Sequence, residues 1–481
     1  MSQISDYEGL PIRRRRSGLP APEVDEWPAR ASSASEDAAE DAAEAKFVEG
    51  KKDVPAEPGP PIIGAEDNWS LNRGHLTTFI ALYLFSIVLY FRPYELIPAL
   101  SSFTSMAFVI GMITLSIYAI SQFVIEGNLT ARPREINLIL LFVVTAFLSM
   151  PLATNPGEAW QTFAEILVKT VVIFIVMVNV IRTPWRFKLL VWLAFAVSVY
   201  LSINALNDYT HGVFREGSAY YNDQRIGGSI GGLFGNSNDL ALHLVTMVPL
   251  AIGFAFVNKN IIRRLVYFAL AGLFTAAVVV TFSRGGFIGL VIAMLVLTRK
   301  LGRKNKFLST AALVVALSVV LLSAPGAYFG RIASILNSAT DLTGSSTQRT
   351  EILKRSIWVT LRYPITGVGM GNFHYKSVQE LVTHNAYTQV SSEMGIPALI
   401  IYLMFMIYPL RKLRRIEAET LDDPARRKYH YWSIAVQVSM IAYMVASFFA
   451  SVAYYWYIYY LVGYAVAVRR LYYVEQVKNG Q

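Results

Sequence analysis

From Leu76 onward the chain passes through one apolar stretch after another, most of them close to the length that carries a helix across a bilayer. Few folds are open to such a chain. In hydrocarbon every backbone N–H and C=O must find its partner inside the protein, which leaves helices and closed barrels. Long runs without strict alternation specify helices. Composition agrees: 54% of residues are hydrophobic and 16% charged, against about 25% charged in soluble domains. A soluble enzyme, a secreted disulfide scaffold and a fibrous protein are therefore excluded. Cysteine is absent, which removes disulfides, thiolate metal sites and a thiol nucleophile. A net charge of +10 would suggest nucleic acid for a soluble protein. Here the basic residues fall in loops, and no nucleic-acid partner is expected.

The runs number twelve, near 76–91, 101–125, 136–152, 163–181, 187–206, 238–257, 263–282, 285–298, 307–323, 395–410, 431–449 and 451–468. Lys and Arg crowd alternate loops: Arg132/Arg134, Arg182/Arg186/Lys188, Lys259/Arg263/Arg264, the 299–306 cluster and the 411–430 loop. The other short loops hold few. By the positive-inside rule the basic set is cytoplasmic, as are both termini. The expected class is an all-α polytopic membrane protein of about twelve transmembrane helices, with a long helical loop between spans nine and ten. The expected organisation is a disordered cytoplasmic tail over 1–72, spans one to nine over 73–323, an outward loop domain over 324–395, spans ten to twelve over 396–470 and a cytoplasmic tail over 471–481. The 1–72 segment holds four consecutive arginines, Arg13 to Arg16, and few large apolar side chains, too few to offset ordering entropy. The arginines serve as an orientation signal or touch anionic lipid.

Two outward segments exceed what a connector needs, 207–237 and 324–395. In the second, Ile352, Leu353, Ile357, Trp358 and Leu361 recur at helical spacing until Pro364. A glycine turn follows, Gly367-Val-Gly-Met-Gly371, and then a short helix over about 383–394. No internal repeat relates the two halves, which weighs against a transporter built on inverted repeats.

Three polar segments face outward. In Thr281-Phe-Ser-Arg-Gly-Gly286, Ser283 can cap the eighth span, and Arg284 sits at headgroup depth with a fork suited to phosphate. Two glycines there leave room for a ligand near the backbone. The alternative is an arginine that snorkels to lipid headgroups. In Thr383-His384-Asn385, His384 can serve as a base near neutral pH or simply as a surface or capping histidine. In the glycine-rich stretch from Arg225 to Asp239, no Gly-Lys-Ser/Thr follows, so a nucleotide loop is rejected while an anion nest stays open. No third ligand accompanies Glu380 and His384, so no metal is expected. Glu165 and Lys169, one turn apart, read as an ion pair. Tyr454 to Tyr460 reads as an interfacial aromatic belt.

The order and common side of these segments resemble the O-antigen ligase / O-antigen polymerase superfamily of bacterial membrane glycosyltransferases. The likeness rests on Ser283-Arg284-Gly285, Gly367 to Phe373, His384-Asn385, Glu393 to Pro397, and Gly235-Asn236-Ser237-Asn238-Asp239, where proline is common at the position of Ser237. It covers roughly 200–410. The resemblance implies transfer of a glycan from undecaprenyl pyrophosphate to an acceptor hydroxyl at the periplasmic face of the bacterial inner membrane, with no metal and no cofactor. Lipid A core, a second lipid-linked glycan or a protein would be the acceptor, for a ligase, a polymerase or a protein O-oligosaccharyltransferase respectively. It implies catalytic roles for His384, Arg284 and Arg225, with Arg215 the rival of Arg225. Arg349, Asn385, Ser283, Asn236 and Asn238 would bind substrate. A secondary transporter or a non-catalytic assembly scaffold is the reading of another class.

Overall fold

A computed structural model describes residues 74–103, 105–214, 225–230, 234–303 and 345–480, with the single positions 307, 310 and 314. The 1–72 tail, Arg215, most of the ninth run and the first part of the long loop, 324–344, lie outside the described residues.

The described chain is helical and holds no β-sheet. In order it runs α1 (Leu76–Phe91), α2 (Met106–Glu126), α3 (Arg134–Ser149), α4 (Pro156–Val180, continuous through a π-helical segment), α5 (Pro184–Thr210), α6 (Ser237–Val257), α7 (Ile261–Val280) and α8 (Arg284–Leu301). After the long loop's helix α9 (Ser345–Arg362) come α10 (Ala386–Glu419), α11 (Arg427–Ala446) and α12 (Trp456–Asn479). Starts follow local chemistry. Asn236, Asn260, Ser283 and Asn385 each cap a helix with a side-chain oxygen. Proline opens α4 and α5, where its missing N–H costs nothing.

Nine of the described helices, α1 to α7, α10 and α11, are long and apolar enough to cross a membrane. α8 carries Arg284, Arg299 and Lys300 within its 18 residues. α12 begins at Trp456, later than the run at 451–468 suggests, because residues 450–455 form an extended turn. The helix then continues to Asn479, with Leu471 and Tyr472 buried.

α6, α11 and α12 form the centre and are buried on nearly every side. Small residues let the first two meet: a Cβ on Gly253 would stand 2.4 Å from that of Ala435, and Ser439 donates to the Thr246 carbonyl at 2.7 Å. α2 lies at the rim, burying only Thr114, Tyr118 and Gln122. At the end remote from the polar segments, Arg469 grips Glu135 with two bonds of 2.6 and 2.8 Å, both residues buried.

Three sequence expectations change. Tyr454, Trp456, Tyr457, Tyr459 and Tyr460 are buried between helices rather than arrayed as a belt. Aromatic clustering alone cannot distinguish an interface from a core. Glu165 and Lys169 do not pair, and Lys169 lies 5.8 Å from the centre of the Phe108 ring. The π-helical turn over Phe163–Val168 rotates residues four apart off a common face. In α9, Ile352, Ser356 and Val359 are buried, while Ile357, Trp358 and Leu361 stay exposed. The buried face follows contact with α10 and includes a serine, because Ser356 and Thr360 bond within the contact and Thr360 meets Ser391 at 2.9 Å.

Candidate active site

The polar segments converge at one end of the bundle. Asn236 accepts from the Asn238 backbone N–H at 2.8 Å and so starts α6. The Asn238 side-chain oxygen then accepts from Ser283 Oγ at 2.8 Å. Ser283 Oγ in turn accepts from the Gly286 N–H at 3.2 Å and starts α8. Two helix N-termini, each a partial positive charge, are thus tied together directly beside the half-buried Arg284.

The glycines after Arg284 serve packing rather than ligand approach. A Cβ on Gly286 would stand 2.6 Å from that of Ala241, and one on Gly285 would meet Phe449 at 2.7 Å. Close approach of α6, α8 and the end of α11 is what fixes Arg284. Gly286→Ala is expected to cost about 1–3 kcal/mol by overpacking and to displace the arginine. Adding Ala241→Gly should reopen the space. Thermal midpoints and transfer rates of the single and double variants check this: if the double variant is as damaged as Gly286→Ala, the contact with Ala241 is not what the glycine serves.

The second half of the site centres on His384. Its backbone is left-handed, φ 50°, a region where histidine is among the enriched non-glycine residues. Ser451 holds it there by accepting from the His384 N–H at 2.8 Å and bonding Thr383 Oγ1 at 3.0 Å. Asn385 then caps α10 through the N–H groups of Tyr387 and Thr388. The Asn385 Nδ2 and Thr388 Oγ1 atoms are buried without a hydrogen-bond partner. Burial and the nearby guanidinium groups of Arg349 and Arg225 lower the His384 pKa to about 4, so the ring is neutral at pH 7 and can accept a proton. Arg349 from α9, Arg225 from the segment before α6 and His384 therefore share one electrostatic environment, although 159 positions separate Arg225 from His384.

The turn after α11 joins the halves. Phe449 packs beside Gly285. Ser451, two residues on and so at most about 7 Å along the chain, holds His384. No sequence signal marked Ser451, because its partner lies 67 residues away.

The motif Gly367 to Gly371 anchors the loop. All three of its glycines have positive φ. A side chain on Gly367 would collide with the Glu393 backbone, one on Gly369 with Ala153, and one on Gly371 with Thr162. The buried Glu393 carboxylate accepts from the Gly371 N–H and the Tyr454 hydroxyl, each at 2.8 Å. Gly395, at φ 86° and ψ 173°, separates the short helix over 386–394 from the long span after it, as the sequence suggested. Among the described residues no group of three His, Asp or Glu side chains could hold a metal ion.

Fold and site together define a multi-pass helical membrane protein with a cationic polar site, built on helix N-termini, at one end of its bundle. Residues 267–403 match the family model described as O-Antigen ligase. The match covers part of the chain and agrees with the superfamily that the sequence motifs resemble. The match includes Arg284, Arg349 and His384 and ends before α11. No curated protein matches the chain.

Proposed function

We propose that the protein transfers a glycan from undecaprenyl pyrophosphate to an acceptor hydroxyl, as an O-antigen ligase does, at the periplasmic face of the bacterial inner membrane. The observation that carries this reading is the convergence at one end of the bundle of Arg284 and His384, both inside the residues that match the O-Antigen ligase model, with Arg349 and Arg225 near enough to the His384 ring to act on it electrostatically. The bond to break joins an anomeric carbon to pyrophosphate. As it breaks, negative charge grows on the departing pyrophosphate, and preorganised cations lower the energy of that state. Arg284 and Arg225 take this role, with Arg349 beside them as a substrate-binding cation. Ser283, Asn236 and Asn238 hold the backbone around Arg284. The His384 ring accepts the proton of the attacking hydroxyl. Asn385 Nδ2 and Thr388 Oγ1, buried and unpaired, suit sugar hydroxyls, since a bond there relieves an unsatisfied polar group worth about 1–3 kcal/mol.

The test is direct transfer by the purified protein, supplied with a polyprenyl-pyrophosphate glycan and, in turn, lipid A core, a second lipid-linked glycan or a Ser/Thr peptide. Transfer to one acceptor class identifies ligase, polymerase or protein glycosylation. Turnover is expected to persist in excess EDTA. Loss of activity that Mg²⁺ restores would reject an arginine-based mechanism, and no transfer to any acceptor would favour a scaffold.

The reading includes about twelve spans, both termini cytoplasmic and the site outside. Because the chain has no cysteine, single introduced cysteines report the topology without background. Gln379→Cys and Ala425→Cys are exposed positions at opposite ends. An impermeant maleimide is expected to label the first in intact spheroplasts and the second only after lysis. The reverse pattern would put the site on the wrong side.

A further inference from the structure

At the end of the bundle opposite the site, α8 and α10 border a cavity of about 1050 Å³. Five cationic side chains line it. Lys300 and Arg303 are held by the buried carboxylate of Glu417. Arg299, Arg411 and Arg414 have no anionic partner among the described residues. Arg299 follows Arg284, and Arg411 follows Ile396, by 15 residues each. At 1.5 Å per residue Arg299 sits about 22 Å along α8 from the site end, and Arg411 lines the same cavity from α10.

The approach to these arginines is apolar. Ile396, Ile400, Met404 and Ile407 follow one another on α10 at spacings of three or four, all exposed, and the same stripe continues into Arg411 and Arg414. On α8, exposed Leu295 precedes Arg299 by four. A track of greasy side chains that ends in unpaired guanidinium groups has the layout of a phospholipid: acyl chain along the helix, phosphate at its end. A soluble anion would have no use for the stripe. Arginine forks suit phosphate oxygens, and basic pockets between spans recruit anionic headgroups.

We propose that this cavity binds one anionic phospholipid of the leaflet opposite the site, its phosphate held by Arg299, Arg411 and Arg414. The proposal is independent of the transfer reaction.

The experiment titrates the full-length protein in neutral detergent with phosphatidylglycerol, phosphatidylcholine or inorganic phosphate. It reads bound lipid by native mass spectrometry and the thermal midpoint alongside. Phosphatidylglycerol is expected to bind and raise the midpoint, and the other two to do neither. Arg299→Gln, Arg411→Gln and Arg414→Gln should each weaken phosphatidylglycerol binding about fivefold, and together about 100-fold. The lipid-free midpoint should be unchanged, since these side chains form no ion pair among the described residues. The singles keep the test decisive if the triple variant inserts poorly. Lys259→Gln with Arg263→Gln removes two exposed charges at the same end but outside the cavity and should leave binding intact. Equal loss in that control would mean surface attraction without a site. Equal binding of phosphatidylcholine, or inorganic phosphate matching the lipid, would also overturn the proposal.

Discussion

Replacing Arg284 by alanine is expected to lower the single-turnover transfer rate by about 10²–10³, with donor affinity much less affected. The reason is timing. Charge on the bridging and terminal pyrophosphate oxygens grows as the glycosidic bond opens, so a donor aimed at it gains most in the transition state. Arg284 is well placed for this: it is the first residue of α8, behind a serine cap that also binds Asn238. Its side chain therefore works beside two helix N-termini. Arg284→Lys keeps the charge but loses the planar fork, and should recover only part of the rate. Single-turnover kinetics and donor binding measured on the same preparations check this. A wild-type rate in correctly inserted Arg284→Ala would remove the arginine from the reaction and favour the scaffold reading. A loss confined to donor affinity would make it a binding residue.

His384→Ala is expected to reduce turnover by about 10²–10⁴, the usual contribution of a positioned acid–base group, again with donor binding largely kept. The pH dependence gives the sharper reading. In the free protein the ring has a pKa of about 4, below the ordinary 6.5, so it is neutral and able to accept a proton at every pH above about 4. Protonation removes the base only as pH falls through that value. The acid limb of kcat/KM, which reports the free enzyme, should therefore lie near 4. Once a bound pyrophosphate neutralises Arg349 and Arg225, their field on the ring is offset and the pKa rises. The acid limb of kcat should then lie at higher pH than that of kcat/KM. Arg349→Ala should move the kcat/KM limb upward, though not to 6.5, because burial is the largest cause of the shift. Coincident limbs, or an acid limb of kcat/KM already at 6.5 in the wild type, would contradict a base in the field of these arginines.

Much of this molecule was legible in one dimension because the bilayer is a severe solvent. The lengths of the apolar runs mark the helices at 76–91, 238–257 and 263–282 to within a few residues, since an unpaired backbone in hydrocarbon is so costly. Capping chemistry is equally local: Ser283 was expected to cap a helix, and does, whereas the cap before α10 is Asn385 rather than its neighbour His384. Local patterns failed where neighbours decide. Tyr454 to Tyr460 could line an interface or a core, and only the helices packed around them place them inside. The π-helical turn that separates Glu165 from Lys169 leaves no mark in the residue types.

The sequence by itself therefore determined the class of protein, most helix positions and the residues of the proposed site, Arg225, Arg284, Arg349 and His384. Hydrophobic length, capping residues and side-chain chemistry are properties of short segments, and they survive without a partner. Only the tertiary structure decided that Asn238 meets Ser283 and that Ser451 pins the His384 backbone. It also decided that Gly286 exists for Ala241. Those are contacts across 45 to 67 positions or more, fixed by how helices cross. A crossing depends on the sum of many small packing contacts along both helices, which no single motif records.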